Sequence, residues 1–131
     1  MTYFKQHLAE ILILIYLIIT FTYSFLEKVF SWKDSIGFYQ EHFKNSILKN
    51  KIPLLLIVVI VMELITVSFC ITGVYMLSFE NKNEPALYGL FFAAITLTGL
   101  MLGQRIAKDY PGAMNITVYF ILTVIGILLL Q

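Results

Sequence analysis

Long apolar runs, separated by short polar segments, dominate the chain. Four stretches carry no charge apart from Glu63: residues 11–26, 52–79, 85–104 and 110–131. A helix needs about 20 apolar residues to cross the ~30 Å hydrocarbon core of a bilayer. The last three runs have that length, and the first reaches it once Leu8, Ala9 and the ends of Glu10 and Glu27, whose charged groups can extend to water, are included. Because backbone groups in lipid must be paired within their own segment, the runs predict helices. We expect an all-α, integral membrane four-helix bundle with spans at about 8–28, 53–79, 86–105 and 112–130.

The segment between the first two runs has a different pattern. Its large apolar residues recur at three- and four-residue spacing, opposite charged and amide side chains: Trp32, Ile36, Tyr39, Phe43 and Ile47. This spacing predicts a short amphipathic helix over about 32–48, lying either in the headgroup region or across the mouth of the bundle. Pro53 then begins the second span, where a helix N–H would be unpaired in any case.

Composition supports a single membrane domain, 1–131. Of the 131 residues 60% are hydrophobic and only 13% are charged, against about 25% charged in soluble domains. The expected partner is therefore a lipid bilayer. A formal net charge of +1 argues against a nucleic-acid surface, which needs clustered Lys and Arg. The single cysteine, Cys70, excludes an intrachain disulfide.

Basic residues are distributed unevenly between the two sides of the predicted bundle. The first and third connections hold seven of them: Lys28, Lys33, Lys44, Lys49, Lys51, Arg105 and Lys108. The other side has Lys5 and Lys82. Since Lys and Arg flanking a span favour the cytoplasm, we predict a multi-pass protein of the cell membrane with both termini on the non-cytoplasmic side.

Each span has one face of small or hydroxylated residues, of the kind that marks helix contacts in membranes. The four faces are Tyr16, Thr20, Tyr23, Ser24 and Glu27; Glu63, Thr66, Cys70 and Gly73; Gly89, Ala93, Thr96, Gly99 and Gly103; and Asn115, Tyr119, Thr123 and Gly126. We expect these faces to meet in the interior. The Gly99 and Gly103 pair predicts close helix approach, either within one bundle or at a dimer seam.

Glu63 is the one carboxylate within the second run. It lies about ten residues, or ~15 Å, into its span, close to the middle of the membrane. An acidic group at that depth costs about 2.5 kcal/mol or more, so it should face the interior and either pair with a cation or hold a proton. The expected cationic partners are Lys28 and Arg105. Neutral hydrogen bonds would come from Gln104 and Asn115.

Two interpretations of Glu63 remain open at this stage. In the first, Glu63 and a basic partner form a buried clasp that fixes helix register. In the second, Glu63 handles protons or binds a ligand, together with the four polar neighbours just named. Glu10, near the end of its span, is expected to reach water.

The sequence lacks the residues that usually bind cofactors and metals. His7 and His42 fall on opposite sides of the predicted bundle, so no haem ligation within the membrane is predicted. Neither a metal-ligand spacing, nor a glycine-rich phosphate loop, nor a nucleophile elbow is present. The sequence therefore predicts no catalytic residues, no metal site and no intrinsic cofactor.

The arrangement resembles the DoxX family of small four-span membrane proteins, over nearly the whole chain. Three stretches carry the resemblance: "FLEKVFSWKDSIGFYQEHF", "MELITVSFCITGVYML" and "GQRIAKDYPGAMNITVYF". By position, Lys28 is similar to the basic residue that closes the first span of these proteins, and Glu63 to the acidic residue of their second span. Phe25 departs from the glycine that members often have three residues before that lysine.

The resemblance implies a bacterial inner membrane and a link to membrane electron transfer, because the family is named after a subunit of a quinol-linked oxidase. It implies a small subunit without independent catalytic activity that holds a quinone head group or docks a redox complex. Two alternatives remain open. One is a small transporter or proton-handling protein that uses Glu63, Lys28 and Arg105. The other is a structural assembly partner of an envelope complex.

Overall fold

The computed structural model describes residues 3–131 and confirms the predicted all-α architecture. A 3-10 turn at Lys5–His7 precedes five α-helices within this range. They are α1 (Leu8–Phe30), α2 (Trp32–His42), α3 (Ile52–Phe79), α4 (Glu84–Ile106) and α5 (Tyr110–Leu130). Four of these helices, all except α2, are long and apolar enough to span a membrane. The observed spans agree with the predicted ones to within about two residues at each end.

Local sequence explains where the helices begin and end. Prolines stand in the first turns of α3, α4 and α5, where the missing N–H costs no hydrogen bond. Asp109 caps α5, because its Oδ1 accepts the Gly112 N–H at 3.0 Å. Asn81 and Lys108 have positive φ angles of 53° and 62°. This left-handed conformation ends α3 and α4 and lets the chain reverse.

The four long helices pack in a ring, with α3 between α1 and α4, and α5 against α4. The contact between α1 and α5 that closes the ring is much weaker. Fully buried apolar side chains from three helices fill the centre: Ile11, Leu14, Leu17, Leu77 and Leu90. The buried threonines fit among them because their hydroxyls bond to their own helix, as Thr66 does to the Met62 carbonyl at 2.8 Å.

The bundle has two ends that differ in construction. The termini end contains Tyr3, Gln131 and the α3–α4 turn. There the Tyr3 N–H donates to the Ser78 carbonyl at 3.0 Å, and Asn83 Nδ2 donates to the Leu130 carbonyl at 2.7 Å. The α2 end contains α2, the segment after it and the α4–α5 turn.

Helix α2 is shorter than predicted. It ends at His42, and residues 43–50 form successive turns. Ser46 favours these turns, since its Oγ donates to the Phe43 carbonyl at 2.9 Å and accepts the Leu48 N–H at 3.1 Å. Ile47, assigned to the apolar face from its spacing, is 84% exposed. The prediction of a helix continuing to residue 48 is therefore wrong.

The predicted interior faces are right for α3 and only partly right for the other helices. Glu63, Thr66, Cys70 and Gly73 of α3 are all buried, as are Gly89, Ala93 and Thr96 of α4 and Thr123 and Gly126 of α5. In α1, however, Tyr16, Tyr23 and Glu27 are exposed, and Ile11, Leu14, Leu17 and Phe21 form the buried face. The buried small residues of α3, α4 and α5 thus mark contacts between helices, whereas Tyr16 and Tyr23 of α1 are exposed.

The expected role of Gly99 and Gly103 in packing within the bundle is also wrong. A Cβ on Gly99 would meet nothing within 4 Å, and one on Gly103 would meet only Phe43 Cζ at 3.8 Å. Close approach occurs at two other glycines. A Cβ on Gly73 would lie 2.7 Å from Ala86 Cα, and one on Gly89 would lie 2.9 Å from Cys70 Sγ.

Candidate functional site

Glu63 lies inside the bundle with no exposed surface and pairs with Lys28. Lys28 Nζ is 2.9 Å from Glu63 Oε1, and 35 residues separate the two in sequence. The ion pair joins α1 to α3. Of the two cations that the sequence offered as partners, Lys28 is the one used.

The position of Lys28 at the end of α1 makes this pairing possible. The residue lies in the last turn of α1, and the side chain must extend into the bundle to meet Glu63, about three turns into α3. Ser24, one turn earlier in α1, accepts from Lys28 Nζ through both its hydroxyl and its carbonyl oxygen. The three ammonium protons are thereby all used within the protein.

Glu63 is less completely satisfied than Lys28. Its Oε1 accepts from the ammonium, whereas its Oε2 is buried without a hydrogen-bond partner within residues 3–131. An unpaired carboxylate oxygen in an apolar interior is costly, so Oε2 can accept a proton or a donor that enters the bundle.

The other three predicted neighbours do not reach Glu63. Arg105 is exposed, and its guanidinium carbon lies 5.1 Å from the centre of the Tyr110 ring. Asn115 is exposed on α5. Gln104 points to α2, where its Oε1 is 2.8 Å from His42 Nε2. The expectation that Arg105, Gln104 and Asn115 help to hold Glu63 is therefore wrong. Each side chain lies near the end of its own helix and has other surroundings there: the Tyr110 ring for Arg105, His42 of α2 for Gln104, and the outside of the bundle for Asn115.

A cavity of about 290 Å³ lies at the α2 end, between α3 and α4. The Lys28 side chain forms part of its inner wall, and the segment from α2 to α3 covers it with Tyr39, Phe43 and Leu48. Gly99 and Gly103 line the α4 side, where neither adds a side chain to the space. Most of the remaining lining is aliphatic, from Ile52, Leu55, Leu56 and Val59.

Gln104 is the polar residue of α4 in this lining. The His42 Nε2–H donates to Gln104 Oε1 and lies 3.5 Å from Asp109 Oδ2. Because its oxygen is engaged by His42, Gln104 has its amide N–H groups left to donate. His42 also packs between Phe38 and Phe43, with ring centres 5.7 and 5.1 Å away. It therefore fixes both the covering helix and the Gln104 amide.

Sequence reasoning missed the roles of His42, Tyr39 and Asp109. The sequence predicts that α2 lies either in the headgroup region or across the mouth of the bundle; the structure shows the second arrangement, with Tyr39 and Phe43 over a cavity that the sequence did not indicate. The sequence did contain a signal for His42: it follows Tyr39 by three residues, which places both side chains on the same face of the amphipathic helix. Its contact with Gln104, 62 positions later, depends on the tertiary fold and leaves no local pattern.

A second polar cluster lies at the termini end. His7 Nε2 is 2.6 Å from Asn81 Oδ1, and His7 Nδ1 is 3.7 Å from Glu10 Oε2. Glu10 is only 9% exposed, so the expectation that it reaches water is wrong. The 3-10 turn places His7 over Glu10 and closes it off. His7 and His42 lie at opposite ends of the bundle.

Residues 3–131 contain no group of three or more His, Cys, Asp or Glu side chains arranged to hold a metal ion. The candidate site thus consists of a buried ion pair beside an apolar cavity with a few hydrogen-bond donors. No family model, no curated protein and no solved structure matches this chain.

Proposed function

We propose that this protein is a small, non-catalytic membrane subunit that binds a quinone head group at the α2 end and thereby serves a membrane electron-transfer system. The observation that carries the proposal is the cavity between α3 and α4, beside Lys28 and beneath Tyr39 and Phe43. The resemblance to DoxX proteins supports the same function.

The size and lining of the cavity suit a single ring system. Its volume of about 290 Å³ is at the lower limit of ligand pockets, which range over about 300–1,000 Å³. An aliphatic lining with a few polar groups that fix orientation is the usual composition of such pockets. A quinone ring is flat and apolar, with carbonyl oxygens that accept hydrogen bonds.

The donors available to those carbonyl oxygens are Gln104 and Tyr39. The Gln104 amide N–H groups are free because His42 engages its oxygen, and the Tyr39 phenol belongs to the cavity cover. Lys28 contributes positive charge at the inner wall, although its protons are already donated to Ser24 and Glu63. The Glu63 carboxylate, 2.9 Å from the ammonium, balances this charge, so the pair adds no net charge to the site.

The position of the cavity suits a ligand that enters from lipid. Its lining comes from the first turns of α3 and the last turns of α4, so it lies near one end of the spans. Gly99 and Leu102 line it and are also exposed on the outside of the bundle. An isoprenoid tail can leave the cavity between these residues and remain in the acyl chains.

Quinone binding can be measured in vesicles through Trp32, the only tryptophan, which lies on the covering helix α2. We expect decylubiquinone or menadione to quench its fluorescence saturably. Gly103→Leu should abolish saturable quenching, because the added side chain enters the cavity. Gln104→Leu should weaken binding by about threefold to tenfold, the value of one hydrogen bond.

Gly37→Leu is the matched control, because Gly37 lies on exposed α2 with nothing within 4 Å of an added Cβ. This variant should bind quinone as the parent chain does. Linear, unsaturable quenching in the parent chain, or equal quenching in the Gly103 and Gly37 variants, contradicts the proposal.

The second candidate function is proton handling, and the unpartnered Glu63 Oε2 favours it. Proteoliposomes containing a pH-sensitive dye and a potassium diffusion potential test this candidate. Proton flux that Glu63→Gln eliminates would support it, and flux equal to that of empty vesicles would remove it.

For orientation, the basic residues at the α2 end support a cytoplasmic position of that end. Both termini then lie on the non-cytoplasmic side of a bacterial inner membrane. A reporter fused after Gln131 tests this topology: activity of a reporter that works only in the cytoplasm contradicts it.

A further inference from the structure

The outer face of α1 and α5 carries polar side chains that the proposed function does not use. We call this surface the tyrosine face and define it by Tyr16, Tyr23, Asn115 and Tyr119. The rings of Tyr16 and Tyr119 lie together with centres 6.1 Å apart. Tyr16 is 51% and Tyr23 68% exposed, and Asn115 is exposed as well. A shallow groove surrounds the ring pair, lined by Leu12, Ile13, Val118 and Leu122.

The depth of these residues makes their exposure unusual. Tyr16 is about 12 Å from the beginning of α1, and Tyr119 about 14 Å from the beginning of α5, so both are near the middle of the bilayer. Tyrosines ordinarily concentrate at the two interfaces. Tyr23 and Asn115 lie nearer the α2 end, about 10 and 8 Å from it. Polar groups at such depths normally contact protein, because lipid offers them no hydrogen bonds.

We propose that the tyrosine face is the contact surface for a second copy of this chain. All copies enter the membrane in the same orientation, so a two-fold axis between two of them runs along the membrane normal. Such an axis keeps every residue at its own depth. The mid-membrane phenols of one copy therefore lie at the same depth as those of the other copy. In the same way, Tyr23 and Asn115 of one copy lie level with Tyr23 and Asn115 of the other.

These side chains can form hydrogen bonds with the same side chains of a second copy. A phenol and an amide both donate and accept hydrogen bonds, so each can pair with an identical group. A face built of carboxylates or ammonium groups would instead repel its copy. The apolar residues beside the polar ones, such as Leu12, Ile19 and Val118, are exposed and supply packing surface. The weak contact between α1 and α5 leaves the groove between them open to a helix of the second copy.

Cysteine cross-linking in vesicles tests the contact. The parent chain is a suitable background because its single cysteine, Cys70, has no exposed surface. Val118→Cys places a thiol in the groove, where Val118 is 61% exposed. Val61→Cys is the matched control: it is a valine at similar depth on α3, 48% exposed, away from the tyrosine face. Copper phenanthroline should link the Val118 variant into a species of twice the chain mass and leave the Val61 variant monomeric.

A second measurement identifies the hydrogen bonds. The triple variant Tyr16→Phe, Tyr119→Phe, Asn115→Leu retains the shape of the surface and removes three of its four polar groups, leaving Tyr23. Hydrogen bonds between membrane helices each change association by about threefold, so energy transfer between labelled chains should report self-association weakened about tenfold or more. Equal cross-linking of the two cysteine variants, cross-linking of neither, a product that contains another protein, or unchanged energy transfer in the triple variant would each overturn the proposal.

Discussion

The seam between α3 and α4 is tightly packed near the termini end and open near the α2 end. Near the termini end, a Cβ on Gly73 or Gly89 would lie within 3 Å of atoms of Ala86 or Cys70. Near the α2 end, a Cβ on Gly99 would have no neighbour within 4 Å, and the cavity occupies the space. Glycines in one helix pair therefore have two different surroundings: one set lies where the backbones approach closely, and the other lies beside the cavity.

The largest effect is expected at the open end, from separating Lys28 and Glu63. Lys28→Met leaves the buried carboxylate without its cation, which should lower the free energy of unfolding by about 3–5 kcal/mol. Adding Glu63→Met should recover most of that loss, since a well-packed apolar pair often matches a buried ion pair. Unfolding by SDS in mixed micelles measures both. Equal instability of the single and double variants would show that the ion pair does not act as a unit.

A smaller loss is expected at the packed end. Gly89→Ala pushes a methyl group against Cys70, whose backbone nitrogen would be only 3.0 Å away, and backbone moves less readily than a side-chain tip. We expect a decrease of about 1–3 kcal/mol in the free energy of unfolding. Stability equal to that of the parent chain would mean that α3 and α4 can separate slightly at no cost.

The same substitution at the open end should have the opposite sign. Gly99→Ala adds a methyl group where nothing is nearby, and alanine is the better helix former by about 1 kcal/mol. The variant should be as stable as the parent chain or more stable by up to that amount, in the same unfolding assay. A loss like that of Gly89→Ala would contradict the difference between the two ends.

The smallest effect is expected at an exposed ion pair of the same chemistry as the buried one. Lys44 Nζ lies 2.7 Å from Glu41 Oε1, and the hydrogen bond and charge of Glu41 raise the pKa of Lys44. Any contribution to stability is thus present below the ordinary lysine pKa and is lost as the pH rises through the raised one. Because both side chains are in water, Lys44→Ala should not change the melting temperature measurably. A clear decrease would show that the segment after α2 depends on this pair.

The spans were predictable because a long apolar run in lipid must pair its own backbone N–H and C=O groups, and a helix does so. The pairing of Glu63 with Lys28 was predictable in part, since charge at mid-membrane demands a partner and only two cations were near enough. The choice between Lys28 and Arg105 depends on which helix ends turn inward, and that is a property of packing. The cavity could not be predicted, because Gly73 and Gly99 look alike in sequence and differ only in what lies opposite them.

Cys70 lies at a tightly packed point of the α3–α4 seam, where its Sγ faces Gly89, and it is the sole thiol of the chain. A membrane-permeable maleimide can reach it only when the two helices move apart. The rate at which maleimide labels Cys70 therefore measures how often α3 and α4 separate, and the measurement needs no engineered cysteine.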